Sequence, residues 1–326
     1  MRYNRARFAD VDRSDRMTNP VLHSNDSWPR TVIAVSGASG LIGASVVRFL
    51  EGHGHEVRRL VRRAARTSLE IAWNPEDNSI DAAHLEGVDA VIHLAGENLS
   101  QRWTNETKRR IRDSRVNGTR LLSSAIASLA VKPSIMLSGS AIGIYGDRGD
   151  DTLDEDSPLG ADFLASVCQE WEAAATPASA AGIRVVNLRT GLVLSRHGGV
   201  VGKLLLPFRL GAGGRLGTGR QWMSWIGLTD YTAAIALLLR NTSLSGPVNL
   251  VAPNPVTNTE FTRVLGTVLG RPSMFTVPKF AMRLALGQMA DDTILASQRV
   301  RPRRLLESSF NFSAPTIESA LRAELA

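Results

Sequence analysis

Three glycines, Gly37, Gly40 and Gly43, stand three residues apart directly after the apolar run Thr31–Ser36. That run has strand character, and Ala44 to Leu50 reads as a helix. Strand, glycine turn and helix together form an anion site. Glycine lets the backbone turn tightly and approach a pyrophosphate. Ser39, Leu41 and Ile42 complete the turn, and the helix start offers free N–H groups and the positive end of its dipole. A bare glycine triplet is weak; this context predicts a dinucleotide site.

The second chemical feature is charge after the second strand. Such folds bind the adenosine ribose of NAD with an acidic residue there, whereas arginine accommodates a 2′-phosphate. Here the segment reads Leu60-Val61-Arg62-Arg63, with no acid until Glu70. Arg62, with Arg63 beside it, can fork onto phosphate oxygens, so NADP(H) is expected over NAD. The alternative is a pair of exposed helix-cap arginines. Arg115 is the third feature. Between Asn105 and Leu129 a stripe of Ile111, Arg115, Gly118, Leu122, Ala125 and Leu129 falls on one helix face. A charge there must snorkel, pair, or face a cofactor cleft.

Strand and helix signals alternate along the chain, which predicts an α/β fold with a Rossmann-like doubly wound parallel sheet. The expected strands are 32–36, 56–61, 90–95, 134–138, 184–188 and 247–251. After Leu188 comes a glycine-rich excursion, 195–226, carrying Lys203, Arg220, Trp222 and Trp225. It reads as a lid or substrate wall. From about residue 251 the chain turns mostly helical, so 251–326 is expected to form a small C-terminal lobe and 31–250 the nucleotide-binding domain. Residues 1–30 mix Arg2, Arg5, Arg7, Arg13 and Arg16 with Asp10, Asp12 and Asp15 and lack an apolar core segment. They read as a flexible extension, or as the result of a start placed upstream of a true start at Met17, and not as a targeting signal.

The chain has 326 residues, 43% hydrophobic and 21% charged, with a net charge of +7. Its arginines cluster in three places without interleaved aromatics, which argues against nucleic acid. No apolar run approaches the roughly 18 residues that span a bilayer. Cys168 is the single cysteine and the six histidines show no ligand spacing, so neither a disulfide nor a metal site is expected. A reducing cytoplasm fits these features. The oligomeric state, monomer or homodimer, stays open.

Further strings carry a resemblance: Val91-Ile-His-Leu-Ala-Gly-Glu97-Asn98, Arg102-Trp103, Ile111-Arg-Asp-Ser-Arg115, Ser138-Gly-Ser-Ala-Ile-Gly-Ile-Tyr145-Gly146, Cys168-Gln-Glu-Trp171-Glu172, Leu188-Arg-Thr-Gly191 and Gly219-Arg-Gln-Trp222-Met-Ser-Trp225-Ile226. In this order the chain resembles the atypical extended short-chain dehydrogenase/reductases. More narrowly it is similar to the "epimerase family protein", nucleoside-diphosphate-sugar epimerase-like subgroup, which ends in a small domain of unknown function. Two features depart from the pattern. Gly227 stands where the subgroup usually has histidine, and the first thirty residues have no counterpart.

The resemblance implies that Leu94, Ala95, Gly96 and Glu97 line the cofactor. It also implies an altered reaction centre. Ordinary members use Tyr-x-x-x-Lys with an upstream serine and asparagine. No Tyr-x-x-x-Lys occurs here. By register Leu164 fills the tyrosine slot, Cys168 the lysine slot and Arg115 the asparagine slot. The serine is Ser138 or Ser140. Tyr145 is the nearest phenol, or a pocket wall. Cys168 is a thiol donor that Arg115 could activate, or a packing residue. Two functions follow. One is an NADP(H)-dependent oxidoreductase or epimerase-like enzyme on a small substrate held by Ser138/Ser140, Tyr145, Lys203 and the Arg220–Trp225 wall. The other is a non-catalytic NADP(H)-sensing regulator.

Overall fold

The computed structural model describes residues 28–326. The expected extension therefore lies almost wholly outside the described residues. The sheet begins where the apolar run begins, with β1 (Val32–Ser36), followed by β2 (Glu56–Val61), β3 (Glu70–Asn74), β4 (Ser79–Ile80), β5 (Ala90–His93) and β6 (Ile135–Ala141). Strands Arg184–Thr190 and Gly246–Leu250 complete eight. Their order is Gly246–Leu250, Arg184–Thr190, β6, β5, β1, β2, β3, β4. Every neighbouring pair is parallel except β3 with β4. From β1 the chain first builds outward through β2 and β3, then returns to the other side of β1 with β5. That reversal puts the topological switch point between β1 and β5, and a ligand crevice lies outside the strand ends at such a point.

Both sheet faces are covered, so the central strands are apolar on both sides. One face carries Ile33, Val35, Ile92, Leu137 and Val186, under Val46, Val47 and Leu50 of helix α1 (Leu41–Gly52) and Tyr231, Ile235 and Leu238 of helix Leu228–Arg240. The other carries Ala34, Val91 and Met136, under Leu121, Leu122, Ala125 and Ile126 of helix α2 (Asn105–Ala127). The predicted stripe on α2 is buried at Ile111, Gly118, Leu122 and Ala125. Thr104 caps that helix by accepting from the Thr107 amide. Helix α3 (Phe163–Ala173) starts on Asp162, whose carboxylate accepts from the Ala165 amide, and buries Leu164, Cys168 and Trp171.

The six predicted strands are present with ends shifted by up to three residues. β3 and β4 were not foreseen. Glu70-Ile-Ala-Trp-Asn74 is a short edge-side strand whose Ile71 and Trp73 are buried. It extends the sheet beyond the arginine-bearing end of β2. The 195–226 excursion contains helix Gly199–Arg209 and shares one core with the C-terminal part: Val201, Leu205 and Phe208 pack in the same cluster as Phe261, Leu265, Ile317 and Leu321.

Structural contact also begins earlier than residue 31. Trp28 lies edge-on to His55, with ring centroids 4.0 Å apart, beneath the Arg240 guanidinium, and it packs against the first core. Trp28→Ala should lower unfolding free energy by about 1–2 kcal/mol, the worth of a large half-buried apolar side chain. Urea denaturation of the two proteins checks this; superimposable curves would make the Trp28 contact inconsequential.

Candidate functional site

The glycine turn closes on itself and on the neighbouring strand. Gly37 has φ +69°, a left-handed conformation that glycine adopts without cost. A Cβ there would lie 2.8 Å from the Leu94 carbonyl and 2.9 Å from the Ala95 nitrogen. A Cβ at Gly43 would lie 2.1 Å from the Gly37 carbonyl oxygen. The turn is thus pressed onto the chain leaving β5, with no room for a side chain at either position. Gly40 is the N-cap of α1, with no side-chain cap and no acidic residue in the first turn. The amides of Leu41, Ile42 and Gly43 therefore have neither an intrahelical acceptor nor a side-chain one, which makes them an anion cradle. Gly198 and Gly199, opening the excursion, come within 3.6 Å of the Leu41 side chain when their missing Cβ atoms are built. The excursion starts over the turn.

The two arginines after β2 differ. Arg63 donates to both oxygens of Glu70, at 2.8 and 2.5 Å, and Glu70 also accepts the Arg66 amide. Those contacts hold the Glu70 carboxyl at about 2. Arg63 is therefore already paired with a carboxylate. Arg62 is exposed and its side chain has no hydrogen bond or ion pair among the described residues. It is the guanidinium available to a phosphate.

Arg115 faces inward. Its guanidinium donates to the Ile111 and Glu97 carbonyls, both at 3.1 Å, and sits 5.1 Å over the Trp171 ring. It is within 3.2 Å of where a Gly96 Cβ would be. No carboxylate bonds to it, and burial lowers its pKa from the ordinary arginine value. The Glu97 amide is held by Ser114 Oγ at 3.0 Å. Two consecutive α2 residues thus pin the loop after β5.

Among the remaining reaction-centre candidates, Tyr145 and Ser140 are engaged elsewhere. Tyr145 is wholly buried, donates to Asn249 Oδ1 at 2.8 Å and accepts from Arg189 Nη1 at 3.0 Å. Burial pushes its phenol upward. It is a structural tyrosine, neither a free acid nor a pocket wall. Ser140 donates to Glu172 at 2.6 Å, and Glu172 is clamped by Arg189 at 2.8 and 3.0 Å. Such a buried pair gives little net stability, but removing one partner strands the other. Leu164 offers no proton. Cys168 is buried, and although Arg115 opposes the shift, burial pushes its thiol up to about 12. Desolvation outweighs Arg115, which favours the packing reading of Cys168 over the activated thiol.

Of the substrate-side residues, Trp225 is fully buried and donates to the Asn254 carbonyl at 3.1 Å. It is core, and it does not line a pocket. Trp222 is half-buried, donates to Asp150 at 2.8 Å and carries Arg299 4.3 Å above its ring. Lys203 and Arg220 are exposed, and the observed contacts do not bring them to the glycine turn.

Ser36, the last residue of β1, was not singled out in the sequence, and His93 was set aside as a strand residue. Ser36 Oγ lies 2.6 Å from His93 Nδ1, and both side chains are fully buried. In register across β1, β5, β6 and Arg184–Thr190 runs one polar row, Ser36, His93, Ser138 and Asn187, on the α2 face. Ser138 Oγ, His93 Nε2 and Asn187 Oδ1 are buried without partners. The only signal in the sequence was polarity recurring at the end of each apolar strand.

A parallel sheet with its crevice at the switch point, a glycine turn feeding a bare helix end and an arginine after the second strand define a dinucleotide-binding α/β protein. The chain belongs to the NAD dependent epimerase/dehydratase family, which it matches over residues 33–250; residues 277–324 match a domain of unknown function, DUF1731. An epimerase family protein of Mycobacterium leprae is 43% identical over 293 residues, 90% of this chain and 95% of the relative. The crystal structure of human epimerase family protein SDR39U1 (isoform 2) with NADPH aligns with TM-score 0.83 and 32% identity, covering 90% of this chain and 98% of that one. A nucleoside-diphosphate sugar epimerase from Corynebacterium glutamicum aligns with TM-score 0.76 and 37% identity, covering 91% of this chain and 58% of that one. Among the described residues no helix is long and apolar enough to cross a membrane.

Burial holds the His93 imidazole down at about 4, against 6.5 unfolded. Between these values the unfolded chain binds the extra proton, so stability rises with pH there and falls on acidification. Over that window the group should withdraw about 3 kcal/mol. Urea unfolding at pH 7 and pH 4.5, compared between wild type and His93→Asn, measures it. A wild-type loss no greater than the variant's would refute the assignment.

Proposed function

We propose that this chain binds NADP(H) in the crevice between β1 and β5 and acts as an atypical oxidoreductase on a small substrate in a reducing compartment such as the cytoplasm. The reading is carried by one observation: the bare α1 N-terminus beside Gly37 and Gly43, with Arg62 left unpaired after β2 while Arg63 is neutralised. The residues fit the group. The amides of Leu41, Ile42 and Gly43, with Ser39 beside them, would hold the pyrophosphate. Arg62 would take the 2′-phosphate. Leu94, Ala95, Gly96 and Glu97 would form the facing wall, and Arg115 behind Gly96 would place a positive charge there. The bound nicotinamide supplies or accepts a hydride. Residues 31–250 would form this binding unit, with the 195–226 excursion and the 251–326 lobe closing its substrate side.

Proton transfer is where this chain departs from its resemblance. Tyr145, Ser140 and Glu172 are committed to a buried network, and Cys168 is too weak an acid to donate readily near neutrality. In this reading the proton comes from water or from the substrate. The same observation favours the second reading, an NADP(H) sensor that performs no chemistry.

Titration calorimetry should show NADPH binding at least about tenfold tighter than NADH, roughly 1.4 kcal/mol. Arg62→Ala should erase most of that preference, and Arg63→Ala should not. Equal wild-type affinity for both cofactors would sink the assignment. NADPH oxidation screened across ketones, enones, quinones and nucleotide sugars separates the two readings: turnover with any class supports the enzyme, and none with intact binding supports the sensor.

A further inference from the structure

We propose that Ser36 and His93 are cofactor-positioning residues: their buried hydrogen bond fixes the Ser36 hydroxyl so that it holds the loop after β5 against the glycine turn, setting the width of the crevice. The proposal rests on the NADP(H) reading above, and it concerns two residues that have no place in the reaction chemistry.

The Ser36 hydroxyl has one proton and two lone pairs. Leu94 and Ala95 donate their amides to Ser36 Oγ, at 3.1 and 3.3 Å. Both lone pairs are then in use, so the hydroxyl proton must go to His93 Nδ1, 2.6 Å away. Nδ1 is thereby an acceptor, and the imidazole is the neutral Nε2–H tautomer. A proton on Nδ1 would compete with the two amides for the same oxygen. The surroundings enforce neutrality. Trp73 meets the ring edge-on at 5.8 Å, and the next residue along the row, Ser138, offers a hydroxyl that itself has no partner. A buried imidazolium would have no counter-charge. His93 pairs with Ser36 across the two strands, one residue before the loop it serves.

The held loop is the same one that Gly37 touches. The atoms nearest a would-be Cβ on Gly37 are the Leu94 carbonyl and the Ala95 nitrogen. Ser36 precedes Gly37 directly. One hydroxyl therefore binds the far wall of the crevice to the residue that starts its near wall. Without it, the Ala95 amide would lose its acceptor, the Leu94 amide would keep only its 3.3 Å bond to the Ser36 carbonyl, and the walls could separate.

Calorimetry with NADPH on Ser36→Ala, His93→Leu and His93→Asn tests this, with melting temperature followed in parallel. In His93→Asn the amide oxygen can stand in the place of Nδ1 as acceptor. Ser36→Ala and His93→Leu should weaken NADPH at least about tenfold, and His93→Asn should stay within about threefold of wild type. Nitrogen NMR of the folded protein at pH 7 should show His93 as the Nε2–H tautomer. Hydrogen exchange at Leu94 and Ala95 should quicken in Ser36→Ala. Wild-type NADPH affinity in Ser36→Ala, equal affinities in the leucine and asparagine variants, or a protonated Nδ1 would overturn the proposal. Should His93→Leu not fold, Ser36→Ala and the NMR tautomer decide alone. If wild type binds no NADPH, the cofactor reading itself fails, whereas unchanged exchange in Ser36→Ala removes the positioning role separately.

Discussion

The contact on which this structure turns is backbone against backbone, where the Gly37 turn meets the loop leaving β5. It is possible only because neither Gly37 nor Gly43 carries a Cβ. That approach aims the start of α1 across the switch point of the sheet. It leaves three amides of the first turn facing outward and unpaired, which is the property an anion needs. Around it the fold spends its polar groups on alignment. Ser36 ties the loop from β1, while Ser114 and Arg115 tie it from α2. The crevice is preorganised from both sides before any ligand arrives.

The other half of the site follows a different logic. Ser140, Glu172, Arg189, Tyr145 and Asn249 form one hydrogen-bonded chain that runs from the end of β6 through α3 to the outermost strand. Glu155 joins it by accepting the Asn249 and Arg304 amides, so the C-terminal segment is fastened to the same network. Ser140 and Tyr145, two of the candidates for moving protons, are instead hydrogen-bonded within this network. Arg115 is the exception. It is a guanidinium with two carbonyl partners and an aromatic platform but no carboxylate, which leaves its charge unneutralised beside the crevice. A positive charge thus stands beside the crevice, while Ser140 and Tyr145 are tied into the buried network.

Much of this was legible in the sequence because local rules and global topology agree. The glycine spacing, the apolar strands and the α2 stripe are short-range patterns, and each survives folding nearly unchanged. The absence of Tyr-x-x-x-Lys was likewise visible. What could not be read was pairing at long range. Arg62 and Arg63 look alike in the chain, and only the unforeseen strand carrying Glu70 separates them. Tyr145 and Trp225 read as pocket residues because aromatic side chains with a polar atom serve walls and cores equally well. Their partners, Asn249 and the Asn254 carbonyl, lie 104 and 29 residues away. Cys168 next to Arg115 suggested an activated thiol, but desolvation depends on burial from every side, which one helix register does not reveal. The Ser36–His93 pair was missed for a related reason: a polar residue ending an apolar strand has no meaning until the strands are set in register.

The central claim is that the Gly37–Gly43 cradle and Arg62 together select a 2′-phosphorylated dinucleotide. A crystal structure of the protein grown with NADPH tests it most directly. The account predicts the pyrophosphate on the amides of Leu41 to Gly43, the 2′-phosphate on Arg62, and Arg63 still bound to Glu70. A 2′-phosphate that Arg62 does not touch, or a dinucleotide lying away from the glycine turn, would contradict it.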